Sequence, residues 1–207
     1  MLLTELPFLQ AVAAQFHQTS WLEWVGTISG FICIYLATKE SIWNWPVSII
    51  SVIAYTFIFY ENKLYGDTGL QLYFLGTAFY GWYFWLKKTP AAADKPITTL
   101  SLKEWGFVAV STVVLTVLLS LYLKSYTDTD VPYIDGFCTA MSFVAQLMMT
   151  RKILENWVLW IIVDICYVPL YFHKNLALTA VLYFVLVILA VIGYLDWKKT
   201  HREQLQH

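Results

Sequence analysis

The sequence repeats itself in two stretches that lie 112 residues apart, NWPVSIISVIAY at residues 44–55 and NWVLWIIVDICY at residues 156–167. With the same offset, residues 26–87 align without a gap to residues 138–199, and 15 of the 62 pairs are identical. Chance matches of Ile and Leu do not produce Asn-Trp, Tyr, Gly and Trp-x-Lys in one register. The repeat therefore predicts two structurally equivalent units.

The composition places these units in a membrane. Apolar residues make up 59% of the 207 residues and charged residues only 13%, about half the charged share of a soluble domain. This excludes a soluble globular domain, a disordered chain and a nucleic-acid-binding protein. Backbone amides inside a bilayer must bond to one another, so each apolar stretch of about 20 residues is expected to form a helix.

Seven apolar stretches are long enough to be considered as spans: 21–38, 41–60, 68–86, 104–123, 135–150, 153–172 and 176–197. The fourth has no counterpart in the repeat and returns the second unit to the orientation of the first. The predicted fold class is an all-α polytopic membrane protein with seven transmembrane helices, in which two parallel three-helix repeats are joined by a linker helix (3+1+3).

The repeat also predicts a division of the chain into segments. They are an N-terminal segment at 1–20 with a short interfacial helix within 3–16, a first repeat at 21–88, a linker with the fourth span at 89–130, a second repeat at 131–200 and a cytoplasmic tail at 201–207.

The basic residues fall mostly on one side of these seven spans. Ten of the 13 Lys and Arg residues lie on the side that holds the C-terminus, and only Lys63, Lys124 and Lys174 lie on the other. Cytoplasmic loops carry the excess of Lys and Arg. We therefore expect an outside N-terminus and a cytoplasmic C-terminus.

Asp164 is the only acidic residue in the middle of a predicted span. Ionisable residues inside a bilayer are costly and usually face a cavity or a partner. One interpretation is a counter-charge for a cationic ligand, with Trp160, Tyr167 and Tyr171 stacking on a flat ring. The other is a protonated or hydrogen-bonded clamp that packs one helix on another.

Further candidate substrate-binding residues follow from depth and helical face: Gln146 and Ser142 on the fifth span, Ser48 and Tyr55 on the second, and Gln71 on the third. Asn44 and Asn156 are a duplicated polar pair. They could bind a ribose or an amide or close a gate, or they could cap helices and join them. The Trp residues at the span ends, including Trp45 and Trp157, are expected in the interfacial belt.

The sequence contains no HExxH, no GxSxG, no P-loop and no Cys/His pair with metal-ligand spacing. We therefore predict that the protein is not an enzyme and that it has no catalytic residue, metal site or cofactor. Parallel repeats about an axis along the membrane normal are one of the recurring plans of transporters, with the substrate site between the repeats. A non-transporting membrane receptor or assembly subunit with a dry interior is the alternative class.

Several strings resemble the Pnu vitamin transporter family, especially its PnuC branch, and the 3+1+3 plan resembles that of the SWEET sugar transporters. These strings are WLEWVGTISGFICIYLA at 21–37, WNW at 43–45, YGWYFW at 80–85 and MMTRKILENWVLWIIVD at 148–164. The resemblance implies facilitated diffusion of nicotinamide riboside, an NAD precursor, across a bacterial inner membrane, with uptake driven by intracellular phosphorylation.

The resemblance also implies a homotrimer that handles a small-molecule vitamin. Thiamine, which is a flat cation like nicotinamide riboside, is the alternative substrate within the family, and neutral riboflavin fits Asp164 less well.

Overall fold

The computed structural model describes residues 20–61, 65–87, 95–127, 129–173 and 177–206. The side chains of residues 65–67, 171–173 and 177–179 are not described. The interfacial helix expected within residues 3–16 lies outside the described residues.

The described residues form seven α-helices in the predicted 3+1+3 order. They are α1 (Trp21–Thr38), α2 (Asn44–Glu61), α3 (Tyr65–Leu86), α4 (Leu102–Tyr126), α5 (Pro132–Thr150), α6 (Asn156–His173) and α7 (Ala177–Gln204). The predicted fold class is confirmed, and the helix ends lie within a few residues of the predicted spans except that α7 continues to Gln204.

Local sequence explains where several helices begin. Ser20 and Ser101 accept from the backbone N–H of the residue three positions later, and the Glu at that position bonds back to the serine N–H. These capping boxes satisfy backbone donors that a new helix leaves free. Pro132 opens α5 at a position where a helix needs no N–H donor.

Three of the described helices are long and apolar enough to cross a membrane by length and composition alone: α1, α4 and residues 180–204 of α7. The remaining four carry Tyr, Trp, Ser and Thr side chains that lower their mean hydropathy. Their polar groups are tolerated because these helices pack into the bundle, as described next.

Six of the helices form a closed ring. Neighbouring contacts run from α1 to α2, α2 to α3, α3 to α5, α5 to α6, α6 to α7 and from α7 back to α1. In this order each helix faces its repeat-related counterpart across the ring, so α2 faces α6 without a close approach of their described backbones. The linker helix α4 packs outside the ring on α5. The six helices therefore surround the pseudo-two-fold axis, and we call the region along this axis the central path.

One end of this ring, which we call the basic end, is where α1, α3, α5 and α7 end and where α2 and α6 begin. It carries most of the described Lys and Arg residues, including Lys39, Arg151 and Lys152. Residues 95–101 lie across it: the Thr98 N–H donates to the Lys152 carbonyl at 3.0 Å, and the Leu154 N–H donates to the Thr98 carbonyl at 2.9 Å.

Four Trp residues form the core of the basic end. Trp45, Trp85, Trp157 and Trp197 are all buried within one apolar cluster, which also includes Ile97. The expectation that these Trp residues lie in the interfacial belt is wrong. Their large rings close the space between the two repeats, so the rings are surrounded by protein and not by the membrane interface.

The repeats pack these rings in the same way. Trp45 meets Trp85 edge-to-face with ring centroids 5.3 Å apart, and Trp157 meets Trp197 edge-to-face at 5.6 Å. Each ring lies on a glycine of the neighbouring helix. A Cβ atom at Gly81 would overlap the ring of Trp45, and one at Gly193 would stand 2.7 Å from Trp157.

We predict that Gly81→Ala lowers the free energy of unfolding by about 1–3 kcal/mol, because the buried Trp45 has no room to move away from the added methyl group. Gly193→Ala should act in the same way. Thermal unfolding in detergent measures this. Gly76→Ala on the same helix is the control, since nothing lies within 4 Å of its added Cβ. Equal melting of the Gly81 and Gly76 variants would contradict the close contact.

Candidate functional site

Asp164 lies at the middle of α6 with its side chain inside the protein. The residue is 5% exposed, and its carboxylate has no hydrogen bond or ion pair with any residue that the structure describes. A buried ionised carboxylate without a partner is strongly unfavourable. Either a proton on the carboxyl group or a cation beside it would remove this penalty.

The α5 side of this site offers small polar groups. Cys138 on α5 lies near Cys166 and Asp164 on α6. Ser142 is buried, and its hydroxyl donates to the Cys138 carbonyl at 2.8 Å. Among the described residues no group of three His, Cys, Asp or Glu side chains could hold a metal ion.

Gln146 is the α5 candidate with free hydrogen-bonding capacity. It is half-buried, and its amide makes no hydrogen bond within the described part of the chain. An amide at this depth needs a partner from a neighbouring group or a ligand. Gln71 on α3 is likewise half-buried and without a hydrogen bond to the described residues.

The aromatic candidates on α6 differ from one another. Trp160 is half-buried. It packs against the Trp cluster at the basic end and against a second apolar cluster, which is formed by residues of α4, α5 and α6. Tyr167 packs on Tyr183 of α7, with ring centroids 4.8 Å apart. The side chain of Tyr171 lies outside the described residues. Trp160 and Tyr167 are thus held in place by protein on at least one side.

The first-repeat candidates lie on α2, across the ring from α6. The Tyr55 hydroxyl hydrogen-bonds the Thr27 hydroxyl of α1 at 2.8 Å. Ser48 lies near Cys33 of α1. Asp164 and Tyr55 thus lie on α6 and α2, two helices on opposite sides of the ring.

Asn44 and Asn156 lie away from Asp164 and Tyr55, at the basic end. Both are buried. Asn44 Nδ2 donates to the Ser41 carbonyl at 2.6 Å, and Asn156 Nδ2 donates to the Ile153 carbonyl at 2.6 Å. Each amide thus fixes the turn that precedes its own helix. This is not an N-cap, in which a side-chain oxygen accepts from a backbone N–H, and the buried Asn156 Oδ1 has no hydrogen-bond partner among the described residues.

Sequence reasoning missed Tyr73, which ties the two repeats together beside the central path. Its hydroxyl donates to the Phe143 carbonyl of α5 at 2.8 Å, and its ring lies 4.4 Å from the Phe143 ring. It also missed the pair of Glu40 and Lys152, whose carboxylate and ammonium groups lie 3.1 Å apart. The signal for this pair was present, since the two residues stand 112 positions apart.

The sequence model of a family described as "Nicotinamide mononucleotide transporter" matches residues 20–199. The nicotinamide riboside transporter PnuC of Escherichia coli is 30% identical over 218 residues, covering 93% of this chain and 91% of that protein. The riboflavin/roseoflavin transporter RibM of Streptomyces davaonensis is 32% identical over 180 residues, covering 86% and 84%.

The fold is also similar to that of a solved structure. A crystal structure of the vitamin B3 transporter PnuC aligns with a TM-score of 0.74 at 28% sequence identity, covering 95% of this chain and 90% of that chain.

We predict that Asn44→Ala and Asn156→Ala each lower the free energy of unfolding by about 1 kcal/mol, because the Ser41 and Ile153 carbonyls each lose one of their two donors. Thermal unfolding measures the change. Ser41→Ala is the matched control, since the bond to Asn44 uses only the Ser41 backbone carbonyl and the Ser41 hydroxyl makes no hydrogen bond with the described residues. Wild-type melting of both Asn variants would refute the proposal that these amides fix the turns.

Proposed function

This chain belongs to the nicotinamide mononucleotide transporter family, and from that premise we propose that it carries nicotinamide riboside by facilitated diffusion. It is a multi-pass membrane protein that transports a small vitamin substrate, and it is not an enzyme, in keeping with the PnuC proteins that it resembles. The observation that carries the choice of substrate is the buried, unpaired carboxylate of Asp164.

A cationic substrate satisfies this carboxylate. Nicotinamide riboside carries one positive charge on a flat pyridinium ring. An opposite charge within the bundle removes the penalty of burying the carboxylate alone. The ring can stack on Tyr167 or Tyr55, while amide and hydroxyl groups such as Gln146 have free capacity for the carboxamide and the ribose.

The riboside suits this environment better than the mononucleotide. The mononucleotide adds a phosphate group, which needs Lys, Arg or clustered backbone N–H donors. In the described residues no Lys or Arg lies in the middle of a helix of the ring; the basic side chains are confined to the helix ends and loops. The Asp164 carboxylate would moreover repel a phosphate.

Thiamine is the runner-up substrate, since it is also a flat cation. Riboflavin is neutral and gains nothing from Asp164, although a relative of similar identity is named as a riboflavin transporter. We therefore propose that the charge at position 164 favours the cationic vitamins over riboflavin.

Facilitated diffusion with trapping by intracellular phosphorylation is the proposed driving force. Among the described residues, the buried charged side chains are Asp164 and Lys152, and only Asp164 lies in mid-span. Proton coupling usually uses a series of intramembrane acids. A single carboxylate instead suits binding of one cation that is held in the cell by a later phosphorylation step.

The proposed arrangement in the cell follows the charge distribution and the relatives. The basic end is proposed to face the cytoplasm of a bacterial inner membrane, with the N-terminus outside, because Lys and Arg are concentrated there. The homotrimer and the division at 1–20, 21–88, 89–130, 131–200 and 201–207 remain proposals.

We predict that Asp164→Asn lowers the affinity for nicotinamide riboside at least about tenfold, because the neutral amide no longer compensates the pyridinium charge. Isothermal titration on purified protein measures it, with thiamine and riboflavin as competing ligands. Asp196→Asn is the control, because that carboxylate pairs with Lys39 at the surface. Unchanged affinity in the Asp164 variant would refute the counter-charge role.

We predict that proteoliposomes equilibrate labelled nicotinamide riboside without concentrating it, and that adding a riboside kinase and ATP inside the vesicles produces accumulation. Imposed pH or sodium gradients should leave the initial rate unchanged. Accumulation of the free riboside against its gradient without the kinase would contradict facilitated diffusion.

A further inference from the structure

Glu40 and Lys152 occupy equivalent positions in the two repeats, because they lie 112 residues apart. Each lies in the short connection that follows the first helix of its repeat. Both have left-handed backbone conformations, with φ of 53° and 56°. Such values are uncommon outside glycine. The repeats thus present two side chains from matching, sterically demanding turns, and these side chains form an ion pair at 3.1 Å.

This ion pair is mostly buried, with the Glu40 side chain 18% exposed. Lys152 is 5% exposed, and its ammonium group lies 4.7 Å from the centroid of the Trp85 ring. Ion pairs at a surface contribute little, whereas breaking a buried pair by removing one partner is strongly unfavourable. The contact between Glu40 and Lys152 therefore biases the relative position of the two repeats.

The pair lies where the central path meets the basic end. Trp85 on α3 and Trp197 on α7 belong to facing helices, yet their ring centroids are only 6.0 Å apart. Each indole also bonds to the first helix of the other repeat. Trp85 Nε1 donates to the Thr150 carbonyl at 3.2 Å, and Trp197 Nε1 donates to the Ala37 carbonyl at 2.9 Å. The ring is thus closed at this end.

We propose that Glu40 and Lys152 are the latch of a gate at the basic end, whose ion pair must separate for that end of the path to open. This rests on the proposed transport function. The strap of residues 95–101 is coupled to the latch, because Thr98 bonds to the backbone of Lys152 and the neighbouring Ile97 is buried among the Trp rings. When the latch opens, the strap moves with it.

A second ion pair nearby provides a matched comparison. Lys39 and Asp196 also join the two repeats, at 2.7 Å, but their side chains are 50% and 37% exposed. The hydrogen bond to Asp196 and its negative charge raise the pKa of Lys39, so the Lys39 ammonium group stays charged at neutral pH. Being exposed, it should contribute little to holding the gate.

The test measures opening without any substrate. Ala37→Cys places a thiol in the closed layer, in a background in which Cys33, Cys138 and Cys166 are replaced by Ala. We expect Glu40→Gln and Lys152→Gln each to raise the rate at which a maleimide labels position 37 at least tenfold. Asp196→Asn should leave the rate unchanged. Wild-type labelling in both latch variants would overturn the proposal, whether or not the protein carries nicotinamide riboside.

A cross-link provides the converse measurement if a single variant fails to fold. In the same background with the native Ala37, Glu40→Cys and Lys152→Cys are joined by a reducible bifunctional methanethiosulfonate reagent. We expect the cross-linked protein to bind nicotinamide riboside but to lose at least nine-tenths of its uptake of this compound in proteoliposomes. Reduction of the cross-link should restore the uptake. Uptake that persists after complete cross-linking would overturn the latch.

Discussion

The packing of an indole ring on a glycine is the contact on which the rest of this bundle depends. Helices in a bilayer gain little from burying apolar surface against one another and associate through close packing at small residues. Gly81 and Gly193 allow Trp45 and Trp157 to lie directly on the neighbouring helix. Held there, these rings support Trp85 and Trp197, through which the two repeats meet.

Much of the fold was predictable because the internal duplication gives both repeats the same pattern of apolar and polar residues. The offset of 112 and the seven apolar stretches indicate two three-helix units and one connecting helix. The direction of the Trp rings was not predictable. A Trp at the end of a span has the same depth whether it faces lipid or protein, and only the docking of the two repeats decides that Trp45 and Trp157 are buried.

The candidate site was partly predictable for a similar reason. A lone acid among apolar residues stands out, so the burial of Asp164 could be expected from its position. The roles of Asn44 and Asn156 could not be predicted, because the sequence does not show whether an Asn amide bonds to a ligand or to the preceding turn. Glu40 and Lys152 resemble ordinary loop charges, and their meeting depends on two connections separated by most of the chain.

The joining of the two repeats in one chain permits an asymmetry that a dimer of identical three-helix units would not have. Such a dimer would place the same residue at both equivalent positions, giving two carboxylates or none in its centre. Here the position equivalent to Asp164 is the buried Val52. The two equivalent helices therefore differ at this depth, with a carboxyl group on α6 and an isopropyl group on α2, so the two sides of the ring cannot contact a ligand in the same way.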